Sequence, residues 1–157
     1  MLPEDVIYLD ETGIEQEQLR RYGRSRRGKR VCGESSGGRV GRTTLIAGLY
    51  LGKLVAPLRF IGHTTSQVVI KWIRRVLAPV IKQGMTIILD NATFHNNSTV
   101  IKAFTDIGLN VLFLPPYSPD LNPIENYWAV LKKRLQSLNT KTKNFNKNLD
   151  YVIRSMS

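Results

Sequence analysis

The stretch Thr86 to Pro115, "TIILDNATFHNNSTVIKAFTDIGLNVLFLP", decides the fold. "TIIL" is a short apolar run closed by Asp90, the pattern of a strand buried on both faces. Val100, Ile101, Phe104 and Ile107 then recur at helical spacing until Gly108 stops them, and "NVLFLP" supplies a second strand. Strand, helix and strand within about 30 residues make a βαβ crossover, with parallel strands and a right-handed connection. The chain therefore reads as α/β.

Working outward, "VIYLDE" (6–11) is a further buried strand that ends in Asp10 and Glu11. "TTLIAGLYL" and "LVAPLRFIG" are β-rich runs joined by Gly52-Lys53, a pair that suits a two-residue turn with glycine first, so an antiparallel hairpin is expected. From Ser66 onward, Val69, Ile73, Val76, Leu77 and Val80 trace a helix. Pro79 is expected to kink or shorten its last turn, and Gly84 to end it. After a proline-rich connection, Ile124, Tyr127 or Trp128, Leu131, Leu135 and Leu138 form the apolar stripe of a long helix. Beyond Asn139 the sequence is polar ("NTKTKNFNKN"), with a weakly amphipathic "LDYVIRSM". One domain of 157 residues is expected, its core over about 6–138, with 139–157 a polar tail holding a weak helix.

Lysine and arginine outnumber aspartate and glutamate 23 to 12, a net charge of +11, which favours a polyanionic partner and nucleic acid ahead of membrane. No apolar run approaches the ~20 residues of a membrane span. An acidic start unlike a signal peptide and a lone Cys32 suit a reducing, cytoplasmic setting, with the protein on the nucleoid when bound to DNA. The segment Gln18 to Arg42 is rich in glycine and arginine and lacks periodicity, so it reads as a long basic loop. Within it Arg20, Arg21, Arg24, Arg26, Arg27, Lys29 and Arg30 follow one another without an intervening acid, suited to backbone phosphates. A solvated charged loop is the plainer alternative. Lys132 and Lys133 could track the same strand or form the exposed side of the last helix.

Functional side chains of parallel α/β sheets gather at the carboxyl ends of strands. Asp10 and Asp90 each close an apolar strand, and Glu125 arrives at the start of the following helix. Three carboxylates together repel, and at least one would hold a proton unless hard cations intervene. Carboxylate oxygens suit Mg²⁺ (or Mn²⁺), and two such ions ~3.5 to 4 Å apart can serve in-line phosphoryl transfer. Each acid also has an ordinary explanation. Asp10 and Asp90 could be turn residues. Glu11 rivals Asp10 but would face the other way if the strand continues. In "NPIE", Asn122 as N-cap, Pro123 at N1 and Glu125 at N3 come close to a capping box. Asn91 and His95 are possible accessory neighbours of Asp90, although a histidine in a polar turn can simply be solvated. Zinc, P-loop and serine-hydrolase motifs find no support.

"LDETG", "ILDNATFH" and "LPPYSPDLNPIENYW" resemble, in order, the three signature blocks of the mariner-type DDE transposases, particularly the bacterial insertion-sequence branch, and "YGRSRRGKR" resembles their intervening basic segment. The likeness runs from about Val6 to Leu135, and 34 residues separate Asp90 from Glu125, as in glutamate-bearing members. It implies a ribonuclease H-like fold: a mixed five-stranded sheet, three strands antiparallel and then two parallel, flanked by helices. It also implies that Asp10, Asp90 and Glu125 are the catalytic, metal-binding triad. The implied activity is metal-dependent cleavage of transposon-end DNA and strand transfer into target DNA by a homodimer or larger assembly. Full-length members carry an N-terminal helix-turn-helix region, which is expected to be absent here because the sequence begins almost on the first catalytic strand. A catalytic half is therefore expected, its recognition half supplied from another reading frame or lost by truncation. A structure-specific DNA nuclease and a non-catalytic DNA-binding remnant are the alternatives.

Overall fold

In the computed structural model, residues 4–15, 42–91 and 97–157 are described. Five strands form one sheet: β1 (Val6–Ile14), β2 (Thr43–Tyr50), β3 (Lys53–Ile61), β4 (Thr86–Leu89) and β5 (Asn110–Phe113), in the order β3-β2-β1-β4-β5. β1, β2 and β3 pair antiparallel, while β4 lies parallel to both β1 and β5. This is the mixed sheet expected from the sequence.

β1 is the central strand and alternates its side chains between two cores. Ile7 and Leu9 join Ile46, Trp72, Leu77, Ile87, Leu89 and Phe104 on one face, under helices α1 (Ser66–Trp72) and α2 (Ser98–Asp106). Tyr8 and Ile14 face the opposite core with Leu45, Leu49, Trp128, Leu131 and Leu135, under α3 (Ile124–Lys141) and α4 (Phe145–Met156). The strand does not end at Asp10 and Glu11. It remains paired with β2 through Ile14↔Thr43, so Asp10 lies inside a strand and Glu11 points to the other face.

The hairpin forms one residue earlier than expected. Tyr50 pairs with Lys53, which leaves Leu51 and Gly52 as the turn, with φ of 48° and 79°. Positive φ at both positions is the mirror-image turn whose twist matches the flanking strands. Gly52 takes the second place rather than the first, and Leu51 accepts the left-handed conformation with its side chain half exposed. In β3, Pro57 cannot donate to a ladder, and the register shifts between Ile46↔Leu58 and Gly48↔Val55. The carbonyl of Ala56 (φ 52°) at this bulge accepts the Trp72 indole N–H at 2.6 Å.

Thr65 caps α1, its side chain accepting from Val68 N. The helix then widens into a π-type turn over Ile73–Leu77 and closes as a 3₁₀ turn over Ala78–Val80 that contains Pro79. The proline therefore ends the helix before Gly84. That glycine, at φ 88°, instead turns the chain into β4, its N–H bonded to the Gly108 carbonyl at 2.8 Å. α2 starts at Asn97, whose side chain accepts from Thr99 N at 2.8 Å, and buries Val100, Ala103 and Phe104.

The expected polar tail is a core element. α4 buries Phe145, Leu149, Val152, Ile153 and Met156, so the hydrophobic core continues past Leu138 to the last turn. Asn148 fastens the α3–α4 corner by donating to Asn139 Oδ1 at 2.8 Å and to the Thr142 carbonyl at 3.3 Å. Arg59 on β3 grips Asp150 on α4 through two bonds of 2.6 and 3.1 Å. Among the described residues, no helix is long and apolar enough to cross a membrane.

Candidate active site

β1 and β4 pair in parallel through Tyr8↔Ile88, and continuing that register two residues sets Asp10 level with Asp90. Asp10 shares its face of β1 with Tyr8 and Ile14, the side covered by α3, and Asp90 directly follows the last residue of β4. Glu125 lies in the first turn of α3. It lines an open cleft of about 400 Å³ with Asp90, Asn91, Asn122 and the Leu114–Ser118 segment.

The connection from β5 holds Glu125 in place. Leu114 N bonds the Leu89 carbonyl at 2.7 Å, anchoring the loop at the very end of β4, and Pro119–Leu121 form a 3₁₀ turn. Buried Asn122 accepts from Ile124 N at 3.4 Å through its side chain and from Glu125 N at 3.3 Å through its carbonyl. Neither bond belongs to the expected capping box, in which the Asn122 side chain would accept from Glu125 N. The reciprocal bond from the glutamate is not made, and Glu125 is exposed toward the cleft. The helix start thus uses Asn122 and Pro123 and leaves the Glu125 carboxylate out of its own capping.

Asp10 is the perturbed member. Its carboxyl pKa is raised from 3.8 to about 7, first by burial, then by the neighbouring Glu11 carboxylate and, least, by Asp90. Bonds from the Glu11 backbone and the Trp128 indole oppose the rise. The Trp128 N–H donates to Asp10 Oδ2 at 3.0 Å. One carboxyl of the three is indeed pushed toward holding a proton, although loss of water contributes more than mutual repulsion.

Among the described residues, no three acidic, histidine or cysteine side chains stand close enough together to hold a metal ion. The donor chemistry nevertheless suits a hard divalent cation: Asp90 and Glu125 line the cleft, and Asp10, which is not among the lining residues, feels the Asp90 charge and is stabilised in a neutral form that added positive charge would reverse. Asn91 lines the cleft beside Asp90. Lys132 and Lys133 are exposed on α3, about two turns beyond Glu125. The expected contacts at Arg20, Arg21, Arg24, Arg26, Arg27, Lys29 and Arg30, and the accessory His95, lie outside the described residues. Sequence reasoning missed Trp128 as the partner of Asp10. Its position three residues after Glu125, on the same helix face, was the available signal.

A mixed five-stranded sheet in this strand order with helices on both faces is the ribonuclease H-like fold. Solved structures share that fold. A simian T-cell lymphotropic virus intasome in complex with PP2A regulatory subunit B56γ superposes with a TM-score of 0.68 at 15% identity over 97% of this chain and 48% of that one. The catalytic core of BIV integrase gives 0.59 at 12% identity over 98% and 83%. The Mos1 strand transfer complex gives 0.57 at 14% identity over 98% and 53%.

The chain belongs to the DDE superfamily endonucleases, whose family model matches residues 5–147. Among curated relatives, the Tc3 transposase of Caenorhabditis elegans is 42% identical over 50 residues, 32% of this chain and 15% of that protein. The Tcb1 transposase of Caenorhabditis briggsae is 38% identical over 55 residues, 35% of this chain and 20% of that protein. The matched segments thus span only a small part of these relatives' length.

Proposed function

We propose that this chain is the catalytic domain of a transposase that cleaves transposon-end DNA and transfers the strand into target DNA with divalent-metal assistance. The observation that supports the reading is the cleft shared by Asp90 and Glu125, with Asp10 on the adjacent parallel strand two residues past the Tyr8↔Ile88 pair. The family match and the transposase relatives support it, as do neighbours that include a strand transfer complex and an intasome.

Asp10, Asp90 and Glu125 would hold Mg²⁺ or Mn²⁺, two ions by charge balance with a phosphodiester. When bound, these ions supply Lewis-acid stabilisation of the attacking and leaving oxygens. The protein's own part is positional. The β4–β5 edge and the Leu114–Asn122 segment fix one wall of the cleft, and prolines at 115, 116, 119 and 123 reduce the freedom lost when Glu125 is placed. The +11 net charge favours DNA as a partner without reading its sequence. Arg20 to Arg30, together with Lys132 and Lys133, supply the phosphate contacts of this reading. Action as a homodimer or larger assembly, with end recognition supplied by another segment, belongs to the same proposal.

The test joins the chain to a matching end-recognition half and incubates it with labelled transposon-end DNA and Mg²⁺ or Mn²⁺, beside Asp90→Asn. Metal-dependent nicking and joining that disappear in the variant are expected. Nicking that survives the substitution removes the triad assignment, and nicking without joining identifies a nuclease instead.

A further inference from the structure

Trp128 is 5% exposed and packs into the core beneath α3, so its bulk needs no special explanation. Its N–H is a different matter. A buried indole N–H takes a partner because an unbonded donor away from water is costly. Trp72, on the opposite face of the sheet, meets that need with a backbone carbonyl. Trp128 meets it with the side chain of Asp10, 118 residues away in sequence, at 3.0 Å.

Two features make this contact more than a satisfied donor. First, Trp128 and Glu125 share the first turns of one helix, three positions apart, so the bond ties the acid on central strand β1 to the element that delivers the acid of the cleft. Second, the donor is neutral. A lysine or arginine at this place would orient Asp10 but compete with any cation for its charge, whereas an indole N–H holds one oxygen and leaves the negative charge uncancelled. Loss of a partner that orients a ligating group in this way typically weakens metal binding by about 10- to 100-fold.

We propose that Trp128 is a positioning residue for the metal site: its N–H fixes the Asp10 carboxylate relative to Glu125 so that both present oxygens to one divalent cation. The inference rests on the three acids holding such a cation, and the experiment separates the two ideas. The full chain and Trp128→Phe, which keeps an aromatic ring and loses the donor, are titrated with Mn²⁺ by calorimetry, with near-ultraviolet dichroism recording the fold. Expected is an Mn²⁺ affinity about 10- to 100-fold weaker in a folded variant, with nicking rate recovering toward the parent at saturating metal, so that the loss falls on the metal requirement. In parallel, the indole N–H resonance of Trp128 in the parent protein shifts on addition of Mg²⁺ while that of Trp72 does not. That second measurement stands even if the variant fails to fold. A folded Trp128→Phe with parental Mn²⁺ affinity overturns the role of Trp128, as does a Trp128 resonance unmoved at saturating Mg²⁺. Absence of Mn²⁺ binding by the parent chain overturns the metal reading itself, and the positioning role with it.

Discussion

Asp10→Asn should stabilise the metal-free protein at neutral and alkaline pH, because the site holds a carboxylate where a neutral group is preferred. The Asp10 carboxyl has its pKa raised from 3.8 to about 7, chiefly by burial and then by Glu11. A group whose pKa is higher folded than unfolded contributes stability that is complete below the unfolded value and is lost as pH rises through the folded one. The window here runs from about pH 4 to about pH 7. At about 1.36 kcal/mol per pH unit the full shift corresponds to ~4 kcal/mol, and residual solvent contact brings the expectation to about 2 to 4 kcal/mol. Asparagine stays neutral, occupies nearly the same volume and can still accept the Trp128 N–H. Urea unfolding of parent and variant in EDTA, from pH 4 to 8.5, isolates the effect, since other titrating groups cancel in the difference. The two proteins should match near pH 4, and the variant should be more stable by the stated amount at pH 8. Mg²⁺ should narrow the gap by stabilising only the parent. A difference that stays constant across the pH range would refute the reasoning.

Three further outcomes follow from the same geometry. Mg²⁺ binding near pH 7 should release about half a proton from Asp10, and affinity should fall up to about tenfold per pH unit below that, read by calorimetry in buffers of different ionisation enthalpy. Leu149→Ala in α4 should cost about 2 to 5 kcal/mol in urea unfolding, whereas a dispensable tail would cost nothing measurable. DNA affinity should fall steeply with salt, and neutralising Arg26, Arg27 and Lys29 should reduce the slope by about 2 to 3. An unchanged slope returns that segment to ordinary solvated surface.

The sheet was legible in the sequence because its strands are short apolar runs bounded by turn residues, and the βαβ unit around β4 and β5 allowed only one sense of pairing. Strand ends were less legible. Glu11, Thr12 and Gly13 look like a turn, yet β2 pairs with them, and Gly13 leaves space across which the Arg42 side chain lies. The hairpin slipped by one because Leu51 takes a backbone conformation that its residue type disfavours, a choice made by strand twist rather than by local preference. In α4, asparagines and lysines dilute the repeat of Phe145, Leu149, Val152 and Met156, and tertiary burial completes what composition conceals. Asp90 just after β4 and Glu125 in the first turn of α3 lie where a strand end and a helix start were read, whereas Asp10 lies within β1, four residues before its end. The bond from Trp128 to Asp10 joins residues far apart in sequence, and only the folded chain brings them together.

The central claim is that Asp10, Asp90 and Glu125 form one divalent-cation site, and anomalous diffraction from crystals of the chain soaked in Mn²⁺ tests it most directly. The account predicts a manganese peak at the cleft with oxygens of Asp10, Asp90 and Glu125 within about 2.0 to 2.3 Å, which is lost in Asp90→Asn crystals. Manganese bound elsewhere, or a cleft empty at saturating Mn²⁺, would contradict it.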